Sequence, residues 1–241
     1  MEPREPAGDL EAVLFDIGGV LLDLASVRDG HDAFASALAE RHGLDAAAVA
    51  RRWRAALGEY FRSREGTEYR TAREGYAVAA EAAVGRPVEE PEWLDLFVEA
   101  TTERLRPVEG AVETVERLDE AGYYLGVVSD IDTAEAERIL RSFGVRERFA
   151  DLTTSEAVGR TKPDPAMFET ALDAAGLDPG RCLYVGDRYH NDMRGGSRAG
   201  LETVAMGSGA ARPEGSDEHD PDGVVDHVVE APPGLLDLLA G

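Results

Sequence analysis

The sequence predicts an α/β protein, a doubly wound parallel sheet interrupted after its first strand by an all-helical insert. Three observations carry that expectation. The apolar run Val13-Leu14-Phe15 ends abruptly in Asp16-Ile17-Gly18-Gly19, as a strand covered on both faces does before a tight turn. From Pro107 onward, short apolar runs alternate with helix-period segments of ten residues or so, the pattern of a parallel sheet. Between the two, for about eighty residues, the periodicity is helical throughout.

Taken in order, Gly8 to Asp23 hold the first strand and its turn. Helices are expected near His31–His42, Asp45–Leu57, Thr71–Val84 and Pro91–Leu105, where apolar residues recur three and four apart. Gly43, Gly58, Gly85, Pro87 and Pro91 punctuate them. A helix at Val112–Ala121 leads into a strand at Tyr124–Ser129, a helix at Thr133–Phe143 and a short strand at Phe149–Thr154. Pro165–Ala175 reads as a helix, Cys182–Gly186 as a strand, Asn191–Ala199 as a helix and Leu201–Met206 as a strand. Gly207–Asp222, rich in Gly, Ser, Asp and Pro, reads as a loop, Val224–Val229 as an edge strand and Pro233–Leu239 as a last helix. The expected domains are a core of residues 1–23 and 106–241 and an insert of residues 24–105, whose entry point places it over the strand end that carries Asp16.

The bulk composition excludes several function classes. At 241 residues and 43% hydrophobic the chain can bury a sizeable core, so its net charge of -23 must lie mostly on the surface. Nucleic acid and anionic membranes would meet repulsion. No stretch approaches the roughly 20 apolar residues of a spanning helix, and the opening Met1-Glu2-Pro3-Arg4-Glu5-Pro6 lacks the order of a signal peptide, so a cytosolic protein is expected, as a monomer or homodimer. Cys182 is the only cysteine, which rules out an internal disulfide and a thiolate cluster; it is expected to be buried. His31, His42, His219 and His227 show no metal-ligand spacing and are expected at the surface, whereas Trp53 and Trp93 belong to the core of the insert. Arg62, Arg64, Arg70 and Arg73 are expected on a solvated helix face.

Ligands of open parallel sheets sit beyond the carboxyl ends of the strands. The residues expected there are Asp16, Ser129, Lys162 and Asp187. Ser129 closes its strand just before Asp130-Ile131-Asp132-Thr133 opens a helix, a place where a hydroxyl and backbone N–H groups suit a phosphate or simply cap the helix. Lys162 stands in Thr161-Lys162-Pro163-Asp164-Pro165, with its backbone restricted by Pro163 and a helix start right behind it. It is also the only lysine of the chain, every other basic residue being Arg, which points to a site where a compact point charge serves. Asp187 ends the strand Leu183-Tyr184-Val185-Gly186, and Asp192 follows five residues on. With Asp16 these make three acids that need cations between them, and oxygen ligands favour Mg²⁺ over zinc.

This ordered set resembles the haloacid dehalogenase-like hydrolases, mostly Mg²⁺-dependent phosphatases with a Rossmann-like core. Asp16 matches the nucleophile of that family, Ser129 its second motif, Lys162 its third, and Asp187 with Asp192 its acidic fourth; the insert resembles an all-helical, C1-type cap. The resemblance implies attack by Asp16 on a small phosphorylated metabolite through an aspartyl-phosphate. Mg²⁺ would lie on Asp16, the Gly18 carbonyl and Asp187, with Asp192 behind, and the phosphate on Ser129, Asp130 and Lys162. Phosphatases of the family usually carry an aspartate where this chain has Gly18, as general acid to the leaving alcohol, a function worth roughly 10²- to 10⁴-fold in rate. The proton must then come from elsewhere, with Asp23, Asp130, His190 or a group in the insert as candidates, or the leaving group must be a good one. A 2-haloacid dehalogenase and a catalytically silent phosphate-binding module are the alternatives. Intact Gly186-Asp187 disfavours the first, and a lysine-free insert disfavours Schiff-base carbon–phosphorus chemistry.

A surface crowded with acids and nearly free of lysine fits a protein working in concentrated salt, where self-repulsion is screened to a few Å, though an Arg-preferring genome gives the same composition. Salt adaptation predicts that the protein unfolds on transfer from molar to dilute salt, followed by circular dichroism; indifference to salt favours the genomic explanation.

Overall fold

The computed structural model describes residues 10–240. Expectations that touch residues 1–9 or 241, including the start of the first strand at Gly8 and the outer limits of the core, lie outside the described residues. The chain forms two compact units, one drawn from the segments up to Leu22 and from Pro107 onward, the other from Asp23–Arg106.

The first unit is built on six strands: β1 (Ala12–Phe15), β2 (Tyr124–Ser129), β3 (Asp151–Thr154), β4 (Cys182–Gly186), β5 (Glu202–Met206) and β6 (His227–Val229). Their order is β3-β2-β1-β4-β5-β6, and every neighbouring pair is parallel. All of β1 is buried, as an apolar run with no alternation requires. Leu14 lies opposite Gly126 on one side and Tyr184 on the other, and a Cβ on Gly126 would stand 2.7 Å from the Leu14 side chain. Because the chain builds outward from β1 through β2 to β3 and then returns to place β4 on the other flank, the direction reverses between β1 and β4. That reversal opens a crevice at their carboxyl ends.

The second unit is helical: α1 (Leu24–His42), α2 (Ala46–Arg62), α3 (Ala72–Val84) and α4 (Glu90–Thr102). Asp23 caps α1 by accepting from the Ala25 N–H at 2.8 Å, and Asp45 caps α2 by accepting from Ala48 at 2.8 Å. Gly58, which reads as a break, and Gly30, which precedes the expected start of the first helix, both lie inside helices. Gly30 sits in α1, which therefore starts at Leu24 rather than His31; a Cβ there would be 3.2 Å from Thr101 Cα, so the glycine permits close approach of α4. Gly58 lies within α2, which continues to Arg62. The core of this unit joins Phe34, Leu38, Val49, Trp53, Trp93 and Phe97. His31 is half-buried; its ring lies 6.1, 5.8 and 5.7 Å from those of Trp53, Tyr76 and Phe97.

Around the sheet run α5 (Ala111–Glu120), α6 (Thr133–Ser142), α7 (Ser155–Val158), α8 (Pro165–Ala175), α9 (Arg194–Arg198) and α10 (Gly234–Leu239). Helix α8 starts at Pro165 behind Asp164, whose carboxylate accepts from Ala166, and packs Met167, Phe168 and Ala171 against Ala12, Leu14 and Tyr184. Helix α7 is too short to show a period and was not expected. The helix expected from Asn191 begins earlier, as the π-helical turn Tyr189–Met193, before α9 takes over. Strand β6 is shorter than Val224–Val229. His42 and His227 also depart from a surface reading. The His42 side chain is 6% exposed, 3.4 Å from Glu92, and His227 is buried with its ring nitrogen 2.5 Å from Glu202. His219 is exposed and Cys182 buried, as expected. Among the described residues no helix is long and apolar enough to cross a membrane.

Both tryptophans lie in the helical unit. Trp53→Ala removes a fully buried ring and is expected to cost about 3–5 kcal/mol, read as a lower urea midpoint for the remaining Trp93 fluorescence.

Candidate active site

Asp16, the residue after β1, is held at its backbone by an N–H bond to Val185 of β4 at 2.9 Å. The chain then turns sharply, with the Leu21 and Leu22 N–H groups both returning to the Ile17 carbonyl. Gly19 has φ +71, and a Cβ on it would fall 2.1 Å from Asp187 Oδ2. The second glycine of the turn is thus required twice, by its backbone and by the carboxylate beside it.

The two oxygens of Asp16 have different surroundings. Oδ1 accepts from the Ile17 N–H at 2.8 Å and from Ser129 Oγ at 2.7 Å, and stands 3.1 Å from Lys162 Nζ. Oδ2 receives no hydrogen bond from the described residues; the Arg188 guanidinium lies 3.8 Å away. Lys162, with no solvent access, also lies 2.7 Å from Asp192 Oδ1 and donates to the Tyr184 hydroxyl at 2.8 Å. The buried ammonium charge is thus met by two carboxylates and one hydroxyl.

Asp192 is the hub of the acidic set. Its Oδ1 takes Lys162 and the Tyr184 hydroxyl, the latter at 2.9 Å, while Oδ2 accepts the N–H groups of Asp187 at 3.2 Å and Arg188 at 2.9 Å. The π-helical turn brings this side chain back beneath the turn that follows β4. Gly186 makes room for it, since a Cβ there would lie 2.3 Å from Asp192 Cβ. Asp130 faces the loop that carries Lys162 and accepts from the Lys162 N–H at 2.8 Å, Ser155 Oγ at 2.9 Å and Asn191 Nδ2 at 3.3 Å. The Lys162–Pro163 peptide in that loop is cis.

The structure therefore gathers Asp16, Ser129, Asp130, Lys162, Asp187 and Asp192 at the carboxyl ends of β1, β2 and β4, with Gly18 in the turn beside them. It adds two residues that the sequence reading passed over, Tyr184 and Arg188. Tyr184 looked like one more apolar strand residue, although a hydroxyl in a wholly buried strand needs a partner. Arg188 looked like part of a turn. Of the proton-source candidates, Asp23 is engaged as a helix cap, Asp130 is tied to the Lys162 loop and His190 is exposed.

The electrostatics follow from burial. Desolvation raises the pKa of Asp16 above the usual carboxylate range, opposed by Lys162. Desolvation also weighs on Asp192, but Lys162, Arg188 and the hydrogen bonds outweigh it and the pKa falls. Burial disfavours the Lys162 charge, yet Asp16, Asp192 and Asp130 together hold it firmly protonated. Asp187 receives no hydrogen bond on its carboxylate from the described residues, and burial together with the charges of Asp16 and Asp192 pushes it up to about 7. Asp16, Asp187 and Asp192 each offer an oxygen within 4.8 Å of the others, a cluster compatible with a metal ion.

Comparison with known proteins matches this arrangement to one family. The profile of the haloacid dehalogenase-like hydrolases fits residues 10–200. The chain is 33% identical over 234 residues to the N-acetylmuramic acid 6-phosphate phosphatase of Pseudomonas aeruginosa, covering 95% of each chain. In fold it is similar to a HAD phosphatase from Thermococcus onnurineus (TM-score 0.69, 20% identity, 96% and 99% of the two chains). It is also similar in fold to a defluorinating L-2-haloacid dehalogenase (TM-score 0.74, 21% identity, 99% and 100%). With the family profile spanning strands, turn and acidic cluster alike, the chain belongs to the haloacid dehalogenase-like hydrolases and is an enzyme.

Proposed function

We propose that this hydrolase is a Mg²⁺-assisted phosphatase of a small phosphorylated metabolite, with Asp16 as nucleophile and the helical unit as its cap. The observation that carries the reading is the Asp16 carboxylate, buried and oriented through Oδ1 by two hydrogen bonds and the Lys162 ion pair while Oδ2 takes no hydrogen bond from the described residues, with a second carboxylate free of hydrogen bonds from the described residues, Asp187, beside it. The phosphatase relative that matches nearly the whole chain supports the same reaction class.

The residues present fit a divalent cation. Asp187 is mostly buried, accepts no hydrogen bond from the described residues, and is pushed to about 7 by burial and by the charges of Asp16 and Asp192, which the Arg188 ion pair at 3.6 Å does not offset, so a further positive charge would suit it. Asp192 already has both oxygens occupied by Lys162, Tyr184 and two backbone N–H groups, so it supports from behind, and Asp16, Asp187 and the Gly18 carbonyl would hold the ion. Bound there, Mg²⁺ supplies the charge that lets a carboxylate approach a phosphoryl group against their mutual repulsion.

In the reaction, the Asp16 carboxylate forms a bond to phosphorus as the bond to the leaving oxygen breaks, and water then releases phosphate from the aspartyl-phosphate and restores Asp16. Ser129 and Lys162 keep Asp16 from rotating away from the attack line. As charge moves from Asp16 to the phosphoryl oxygens, Lys162 can follow by giving up its longest contact, the 3.1 Å one to Asp16. Asp130 serves through its backbone and by fixing the Lys162 loop. Gly18 has no proton to give, so esters with poor leaving groups are slow unless the cap supplies an acid.

A 2-haloacid dehalogenase is the second reading, favoured by the fold neighbours; it leaves Asp187 without a task.

Phosphate release from an aryl phosphate, sugar phosphates, phosphoglycolate and nucleotides with Mg²⁺ tests the reading. Asp16→Asn is expected to lower kcat by at least about 10³-fold, with the aryl ester the best substrate of the wild type. Full activity of the variant, or chloride release from 2-haloacids without metal, refutes it. A second outcome concerns protein stripped of divalent cations. A carboxyl raised from 3.8 to about 7 binds its proton more tightly folded than unfolded, so it costs nothing below pH 4 and destabilises increasingly as pH rises from 4 to 7. Asp187→Asn should therefore raise the thermal midpoint at pH 8 and leave it nearly unchanged at pH 4.

A further inference from the structure

A phosphoryl group brings about two negative charges and three non-bridging oxygens that need donors in the transition state. A count of donors in the crevice shows where they are scarce. Ser129 has one hydroxyl proton and donates it to Asp16 Oδ1 at 2.7 Å. The Lys162 ammonium group has no solvent access, donates to the Tyr184 hydroxyl at 2.8 Å and is ion-paired with Asp192 and Asp16 at 2.7 and 3.1 Å. Neither residue is free to take a phosphoryl oxygen until an existing contact is released.

Arg188 is placed differently. Its backbone is fixed, because its N–H donates to Asp192 Oδ2 at 2.9 Å as the π-helical turn begins. Its guanidinium has five N–H donors, yet its nearest acceptors are Asp187 Oδ1 at 3.6 Å, Asp130 Oδ2 at 3.7 Å and Asp16 Oδ2 at 3.8 Å. These are ion pairs beyond hydrogen-bond length. The side chain is 41% exposed, so it is open to solvent at the edge of the crevice while resting beside the bare oxygen of Asp16. A cation with a fixed root, an unbonded fork and access from solvent suits an incoming tetrahedral oxyanion, which a guanidinium binds through two parallel N–H bonds.

We propose that Arg188 is a phosphoryl-binding residue of this enzyme, its guanidinium fork taking two non-bridging oxygens of the substrate beside Asp16. The inference rests on the phosphatase reading and adds to it a solvent-accessible donor, where Ser129 is already bonded to Asp16 and Lys162 is buried among its ion-pair partners. The same fork would fit a carboxylate elsewhere on a substrate, and the test separates the two.

Inorganic phosphate is titrated calorimetrically, with Mg²⁺ present, into the full chain as wild type, Arg188→Lys, Arg188→Gln and Arg198→Gln, the last an exposed charge on α9. Loss of charge-assisted hydrogen bonds should weaken phosphate binding roughly 10- to 100-fold in Arg188→Gln, less in Arg188→Lys, and by no more than about twofold in Arg198→Gln. KM for an aryl phosphate, which has no carboxylate, should rise in step with that for phosphoglycolate. A rise confined to phosphoglycolate assigns Arg188 to a distal carboxylate and overturns the proposal. Unchanged phosphate affinity with a lowered thermal midpoint reduces Arg188 to a counter-ion of the acids and overturns it as well. A wild type that neither binds phosphate nor hydrolyses any ester removes the phosphatase reading and this inference with it, whereas a working wild type unaffected by Arg188→Gln removes the inference alone.

Discussion

The Lys162 ammonium group, out of reach of solvent and shared by Asp16, Asp192 and Tyr184, is the interaction on which the architecture of the α/β unit converges. A buried charge is tolerable only when every partner is in place; deleting one partner of such a pair typically costs about 3–5 kcal/mol. The partners come from distant parts of the chain. Strand β1 delivers Asp16, β4 delivers Tyr184, and the turn after β4 folds Asp192 underneath. The parallel register that sets Leu14 opposite Tyr184 is what brings these groups to one ammonium. Sheet topology and site electrostatics are in this sense a single constraint.

Much of this was legible in the residues. A run that is apolar to its end and then breaks at an acid betrays a central strand, and three such endings in order, Asp16, Ser129 and Asp187, indicate one crevice because parallel strands share an end. The helical unit was readable from its period, but its boundaries were obscured at Gly30 and Gly58, which serve close packing and helix continuation rather than termination. What escaped notice was set by tertiary contact. Arg188 gains meaning only when Asp16, Asp130 and Asp187 surround it, and His31, His42 and His227 look like ordinary surface residues until their aromatic or carboxylate neighbours are known. The π-helical turn at Tyr189 leaves no periodic trace, since it is a single turn shaped by the demand that Asp192 reach two backbone amides.

The same scaffold carries phosphatases and dehalogenases, and the fold neighbours include both. Fold therefore cannot choose between them, and chemistry must. Displacement at the carbon of a 2-haloacid asks for an oriented carboxylate, a partner for the substrate carboxylate and a home for the departing halide. Displacement at phosphorus brings about two negative charges to the reacting atom itself and asks for cations on several sides. On the phosphatase reading proposed above, Lys162 and Arg188 beside Asp16, and Asp187 next to them, answer the second demand.

The confinement of the sole lysine has one more consequence. Acylating, glycating and cross-linking reagents that decorate most proteins through ε-amino groups meet none on this surface. In the folded chain the single ε-amine is sheltered from electrophiles, so its labelling rate would serve as a clock for opening of the crevice itself.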